Sequence, residues 1–254
     1  MLPRACGPPP TQFMTTDRRQ AYHPLLDGAR AVIFDVGGTL VHPDWARLLP
    51  LSAELGHGFG ADELQRGFCR ELHQVDGYLR QNQDAPAYAK QPGWVFRRVY
   101  GALGLDESTC QNLMERADQL HEERHLWCQL DPHAPRVILA LKAIGFRVAA
   151  ISNTEDGRLE ELLKLVEIAH HFDLLIDSHL VGLRKPDRAI FHLALERLGL
   201  APHEAVYIGD SYGHDVLGAE RAGLRALLID PFDLYAGTNF PRISALSELI
   251  SQLP

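Results

Sequence analysis

From residue 131 to the C-terminal region the chain alternates between short apolar runs and amphipathic stretches, and few patterns restrict a fold more tightly. Residues 146–151, 174–176, 205–208 and 226–229 are brief, nearly unbroken apolar runs. Such runs read as strands buried on both faces. Between them, residues 159–168, 189–198 and 216–222 carry apolar side chains at helical spacing, and Gly199 and Gly223 stand where the last two of these helices would stop. Asp131-Pro132 reads as an N-cap followed by a first-turn proline, opening a helix that ends at Gly145. Residues 244–253 read as a short closing helix. Alternation of this kind implies a parallel sheet with helices on both faces.

One further strand of the same character, Ala-Val-Ile-Phe at 31–34, stands far upstream. It ends on Asp35, and Val36-Gly37-Gly38-Thr39 follows. Open α/β sheets place ligands at the carboxyl ends of their strands, so Asp35 is a candidate functional group. The plain alternative is a Gly-Gly turn in which Asp35 only caps the backbone.

About 90 residues of helical pattern separate this strand from the others. Residues 45–55 carry apolar side chains at helical spacing and stop at Gly56. Residues 62–79 are amphipathic, with Leu64, Phe68, Leu72, Val75 and Leu79 on one stripe. A third helix spans 93–103, and Ser108 with Gln111 forms a capping box for a fourth that runs toward Leu126. Four helices with short joints read as a small bundle, inserted into the α/β unit because strand-like segments vanish here and return afterwards. The expected organisation is an irregular leader over 1–28, an α/β core over 29–42 and 130–254, and a helical insertion over 43–129. Pro8-Pro9-Pro10 and a polar run mark the leader, where Arg18-Arg19 is followed by no apolar segment of export-signal type. Met14 is an alternative start.

Composition excludes several classes. A net charge of −8 argues against nucleic acid as the main partner, because phosphate-backbone binding needs clustered Lys and Arg. No apolar run approaches the roughly 20 residues of a membrane span. Cys6, Cys69, Cys110 and Cys128 are scattered without a Cys-x-x-Cys, which suits free thiols in a reducing cytoplasm. A homodimer is compatible with the chain, and nothing in the sequence specifies one.

Each returning strand runs into polar residues. The strand at 146–151 leads to Ser152-Asn153; Lys185-Pro186-Asp187 precedes the helix at 189; the strand at 205–208 leads to Gly209-Asp210 and then Asp215. In a parallel sheet these ends share one edge, so Asp35, Ser152, Lys185, Asp210 and Asp215 converge on one cleft. Clustered carboxylates repel unless a cation sits among them, and hard oxygen ligands suit Mg²⁺. A lysine beside them offsets the negative charge and holds a phosphate. A carboxylate can act as nucleophile and form an acyl phosphate; Asp35, on the first strand, is the best placed. Singly, each residue has a bland alternative: Asp215 or Ser152 capping a helix, Lys185 a solvated loop residue.

Taken together, Asp35-Val36-Gly37-Gly38-Thr39, Ser152-Asn153, Lys185, and Gly209-Asp210 with Asp215 resemble the four motifs of the haloacid dehalogenase superfamily of hydrolases, in the branch with a helical cap inserted after the first strand. The resemblance covers about residues 30–235. It implies a Rossmann-like core under a mobile cap, a small phosphorylated substrate, and a Mg²⁺ ion held by Asp35, the Gly37 carbonyl and Asp210, with Asp215 in support. It further implies that Asp35 attacks phosphorus and that Ser152, Asn153, Thr39 and Lys185 bind the phosphoryl group.

The chain departs from the family at one position. Phosphatases of this superfamily usually carry a second Asp two residues after the nucleophile, as general acid and base; here that residue is Gly37. Such help is worth about 10²–10⁴-fold in rate, so its loss penalises alkyl phosphates most and acyl or aryl phosphates less. Three readings follow: a hydrolase retuned by Gly37, a phosphate- and metal-binding protein without turnover, and a phosphonatase-like enzyme using Lys90, the lysine of the insertion, as a Schiff base. His42 is an alternative proton donor, although a loop histidine beside Pro43 has a plainer explanation. Dehalogenases of the family place a bulky aromatic at the Gly37 position, unlike this chain. Trp45, Tyr78, Trp94, Glu155 and Arg158 are candidates for substrate contact, the aromatics serving equally well as bundle core.

Overall fold

A computed structural model describes residues 22–81, 83–91 and 93–250. Most of the leader, with Met14, Cys6 and the Arg18-Arg19 pair, lies outside the described residues. The core is a six-stranded parallel sheet built from β1 (Ala31–Phe34), β4 (Arg147–Ser152), β5 (Leu174–Asp177), β6 (Ala205–Gly209), β7 (Arg225–Ile229) and β8 (Arg242–Ile243). Its order is β5-β4-β1-β6-β7-β8. β1 therefore lies inside the sheet, and the chain winds outward from it in both directions. That reversal opens a crevice at the carboxyl end of β1, between β4 and β6.

The strands are apolar because both faces are covered. Val32, Phe34, Val148, Ala150, Val206 and Ile208 pack with α5 (Ala134–Ala143) and α6 (Leu159–Leu165) on one face. Ile33, Ala149, Ile151 and Tyr207 pack with α8 (Arg188–Leu198) and α9 (Leu217–Arg221) on the other. A one-turn helix, α7 (Ser178–Val181), follows β5.

The insertion enters through β2 (Val41–His42) and returns through β3 (Gln129–Leu130), which pair antiparallel. Between them lie α1 (Trp45–Glu54), α2 (Ala61–Arg80), α3 (Trp94–Ala102) and α4 (Glu107–Glu123). These helices bury their own cluster, including Trp45, Leu48, Leu64, Phe68, Val95, Val99 and Leu113. Trp45 Nε1 donates to Gln65 Oε1 at 3.0 Å, so its polar atom is satisfied inside the bundle.

Three local readings are corrected. α4 is capped by Asp106, whose Oδ1 accepts from Thr109 N at 2.9 Å, while Ser108 only donates to Asp106; the stronger acceptor takes the cap. Asp131 accepts from His133 N at 2.8 Å in a turn, so α5 starts at Ala134, and Pro135 supplies its early proline. Of the expected closing helix, 251–253 lie outside the described residues; the described part holds a 3₁₀ turn, Leu246–Leu249, after Arg242–Ile243, which adds a sixth strand beside β7.

Candidate active site

The crevice at the end of β1 is filled by charge. Asp35 stands one residue past the strand, its N–H donating to Ile208 O of β6 at 2.8 Å, so the ladder fixes its backbone. Lys185 Nζ donates to Asp35 Oδ1 at 2.5 Å, to Asp215 Oδ1 at 2.6 Å and to the Tyr207 hydroxyl at 2.9 Å. Three acceptors use the three ammonium donors completely. Lys185 is 5% exposed, Asp35 6% and Asp215 1%. Asp35 Oδ2 accepts from Thr39 Oγ1 at 3.4 Å, a long contact that leaves this oxygen the less restrained of the two. Oxygens of Asp35, Asp210 and Asp215 all lie within 4.8 Å of one another.

Two glycines make this crowding feasible. A Cβ on Gly38 would fall 2.1 Å from Asp210 Oδ2, and one on Gly209 would fall 2.3 Å from Asp215 Oδ2. The first of these glycines has φ of +89°, a region that L-residues avoid. The Gly-Gly and Gly-Asp pairs of the sequence are thus spaces for carboxylates.

The electrostatics follow from the inventory. Three carboxylates face one ammonium in a buried site. Burial, and the neighbouring Asp215, push Asp35 up to about 6 against the pull of Lys185. Burial, then Asp35 and Asp215, push Asp210 well above the carboxylate range. Burial opposes the Lys185 charge, yet Asp215 and Asp35 outweigh it and raise its pKa. The site is short of positive charge and offers clustered oxygen donors, so a hard divalent cation fits it.

The remaining sequence candidates fall into distinct places. Ser152 ends β4 and is 8% exposed. Asn153 exchanges two hydrogen bonds with the Lys185 backbone, accepting from its N at 2.9 Å and donating to its O at 3.0 Å. Its side chain therefore sets the lysine loop. His42 lies on β2 with Nε2 3.7 Å from Asp131 Oδ2 and Nδ1 3.5 Å from Gln65 Nε2. Lys90 is exposed at the end of a 3₁₀ turn, Ala87–Lys90. Trp45 and Trp94 belong to the core of the insertion. Tyr78 and Glu155 are exposed, and Arg158 pairs with Glu161 at 2.7 Å.

Three residues escaped the sequence reading. Tyr207 orients Lys185 and donates to Ile151 O at 3.3 Å; a tyrosine amid apolar strand residues was its signal. Asp76, in the middle of α2, is 1% exposed and bonded to the loop after Asp210. Trp127 covers Gly37, its ring 3.4 Å from where a Cβ would be. The side-chain direction open to an acid/base at position 37 is thus faced by an indole, itself packed edge-on against Phe68.

A second cluster, His121, His125 and Asp156, joins the insertion to the core. The two imidazole Nδ1 atoms accept from Leu126 N and Trp127 N at 3.3 and 3.2 Å. Each neutral ring then carries its proton on Nε2, and His121 Nε2 meets Asp156 Oδ2 at 3.1 Å. The ring lone pairs are spent on backbone amides, so the cluster reads as a polar clasp.

A parallel sheet whose central strand delivers a buried carboxylate to a lysine and two more carboxylates has the core architecture and the strand-end site of a hydrolase family. The haloacid dehalogenase-like hydrolase family matches residues 29–223, and the chain belongs to that family. It is 30% identical over 216 residues to the haloacid dehalogenase-like hydrolase domain-containing protein 3 of Xenopus laevis, covering 80% of this chain and 84% of that protein. It is 36% identical over 136 residues to a phosphoserine phosphatase of Thermus thermophilus, covering 54% and 53%. Among solved structures, a HAD phosphatase from Thermococcus onnurineus superposes with a TM-score of 0.54 at 28% identity, covering 87% and 95%.

Proposed function

We propose that the protein is a Mg²⁺-dependent phosphohydrolase acting on a small phosphorylated metabolite through an aspartyl-phosphate on Asp35. The observation that carries this reading is the buried Asp35–Lys185–Asp215 arrangement with Asp210 beside it. The phosphatase names of relatives support the reaction class.

Asp35, Asp210 and the Gly37 carbonyl would hold the ion, which would neutralise the carboxylates and draw the phosphoryl group to them. Asp215 would act through Lys185 and Ser211, whose N–H donates to Asp215 Oδ2 at 3.0 Å. Asp35 Oδ2 attacks phosphorus while Lys185 fixes Oδ1; the bond from phosphorus to the leaving oxygen breaks as the Asp35–phosphorus bond forms. Water then attacks phosphorus, the bond from phosphorus to Asp35 Oδ2 breaks, the carboxylate is restored, and the water's protons leave with inorganic phosphate and solvent. Ser152 would hold a phosphoryl oxygen, and Lys185 would reach one by releasing the Tyr207 hydroxyl while keeping Asp35 and Asp215. Thr39 would steady the nucleophile, and Asn153 would keep the lysine in place.

Gly37 supplies no proton to the leaving oxygen. Substrates whose leaving group departs as a stable anion, acyl or aryl phosphates, are therefore favoured over alkyl esters. The helical insertion would act as a cap that closes over the substrate and excludes bulk water during the first transfer. Phosphate release from an aryl phosphate and from an acyl phosphate, with Mg²⁺ and after chelation, tests the reading. Turnover that requires Mg²⁺ and vanishes in Asp35→Asn is expected; no release from either substrate would favour a binding protein without turnover.

A further inference from the structure

Asp76 stands in the middle of α2, yet its carboxylate is spent entirely on the core. Oδ2 accepts from Tyr212 N at 2.8 Å, and Oδ1 accepts from Gly213 N at 2.8 Å and from Ser211 Oγ at 3.3 Å. The Tyr235 hydroxyl, from the segment after β7, also donates to Oδ2. No helix-internal or solvent role explains a 1%-exposed aspartate with four such donors. The fit is close: a Cβ on Gly213 would fall 2.6 Å from Asp76 Oδ1 and 2.1 Å from Leu79 Cδ1.

The residues it grips run straight on from Asp210. Ser211 N, within this loop, donates to Asp215 Oδ2, and Asp215 Oδ1 accepts from Lys185. A continuous chain of hydrogen bonds thus runs from α2 through 211–213 to Asp215, Lys185 and Asp35. The surroundings reinforce the dock: His73, one turn before Asp76, meets the Tyr235 ring edge-on at 4.6 Å, and Arg80, one turn after, lies 5.8 Å over the Tyr212 ring.

We propose that Asp76 is a positioning residue through which the helical insertion holds the 211–215 loop, so that docking of the insertion and the cation affinity of the Asp35–Asp210 site are one coupled equilibrium. The insertion then completes the metal site from outside, without touching the ion. This rests on the metal-site reading given above. A ligand that shifts the docked state strengthens cation binding, and the cation strengthens docking by the same factor.

Isothermal titration of Mg²⁺ into the full chain, with amide hydrogen exchange of 211–215, tests it. Asp76→Ala is expected to raise the Mg²⁺ Kd roughly tenfold and to speed exchange at Tyr212 and Gly213 by a similar factor. Tyr235→Phe removes one donor and leaves a smaller defect, about threefold in each readout, and it decides the matter if Asp76→Ala does not fold. A merely structural Asp76 would lower Tm while leaving Kd and loop exchange within twofold of the wild type, and that result overturns the proposal. Wild-type protein that binds no Mg²⁺ would instead overturn the metal-site reading, with loop exchange in Tyr235→Phe still judging the latch.

Discussion

Replacing Gly38 with alanine separates the two roles of that glycine. Its φ of +89° charges a conformational cost to any L-residue, about 1–2 kcal/mol. In addition, the new Cβ would sit 2.1 Å from Asp210 Oδ2 and 2.6 Å from Asp210 Cγ, where real Cβ contacts stay beyond 3.0 Å. The Asp210 carboxylate has to retreat by about 1 Å or more. Mg²⁺ demands oxygen at about 2.0–2.1 Å and tolerates errors of only about 0.2 Å, so the ligand is lost. The expected result is a Mg²⁺ Kd raised at least roughly tenfold, together with a modest loss in urea denaturation. Gly237→Ala is the control: φ is +76°, and nothing lies within 4 Å of its Cβ, so it pays the backbone cost alone. A folded Gly38→Ala protein that binds Mg²⁺ within twofold of the wild type would refute the placement of Asp210 at the ion.

Gly37→Asp places a carboxylate against the Trp127 ring, so the single change is expected to leave hydrolysis of an alkyl phosphate low. Combined with Trp127→Ala it should raise release by up to about 10²-fold, and a rise from the single change alone would show that the indole is no obstacle. Lys185→Met leaves the Asp35 and Asp215 carboxylates facing each other without their ammonium; phosphate release should vanish, and calorimetric Tm should rise with added Mg²⁺ more than in the wild type. Burial and then His121 hold His125 down at about 4, with Asp156 pulling upward and Arg158 downward. A depressed histidine pKa means the unfolded chain binds more protons between about 4 and 6.5, so stability rises with pH across that window, by about 3 kcal/mol from this group. His125→Asn, which keeps an acceptor for Trp127 N, should flatten that part of the profile in urea melts at pH 4.5 and 7; an unchanged slope would show that His125 does not carry it.

The sheet and the helical insertion were legible because buried parallel strands and amphipathic helices have distinct periods, and both were long enough to display them. The strand at 31–34 carried the most information, since its ladder to β4 and β6 places Asp35 where the chain reverses direction. Helix starts were less legible. Asp131-Pro132 imitates a cap because an aspartate that accepts an amide two residues on looks the same in a turn as at a helix end. The C-terminal segment failed for another reason: β8 is two residues long, with no period of its own, and is specified by β7. In the site, motif positions located the ionisable groups but not what surrounds them. Trp127 lies far along the chain from Gly37, and Asp76 from Gly213; no local pattern announces either contact. Asn153 stands beside Ser152 in sequence, and no local pattern announces that its side chain reaches 32 residues ahead to the lysine loop.

The paired strands β2 and β3 carry a consequence for how such a chain can change over time. Where residues 41–42 and 129–130 lie side by side, everything between them begins and ends at one point in space. A module attached at one point can be lengthened, exchanged or removed without re-threading the sheet, since the core sees only a hairpin's worth of chain. Closing a long excursion there costs little more than closing a short one, because the entropy grows only with the logarithm of length. What resists exchange is the grip on the 211–215 loop: a replacement module that lacked the equivalent of Asp76 would leave the amide N–H groups of Tyr212 and Gly213 without that partner. The stalk makes the insertion portable, and a single carboxylate makes it particular to this core.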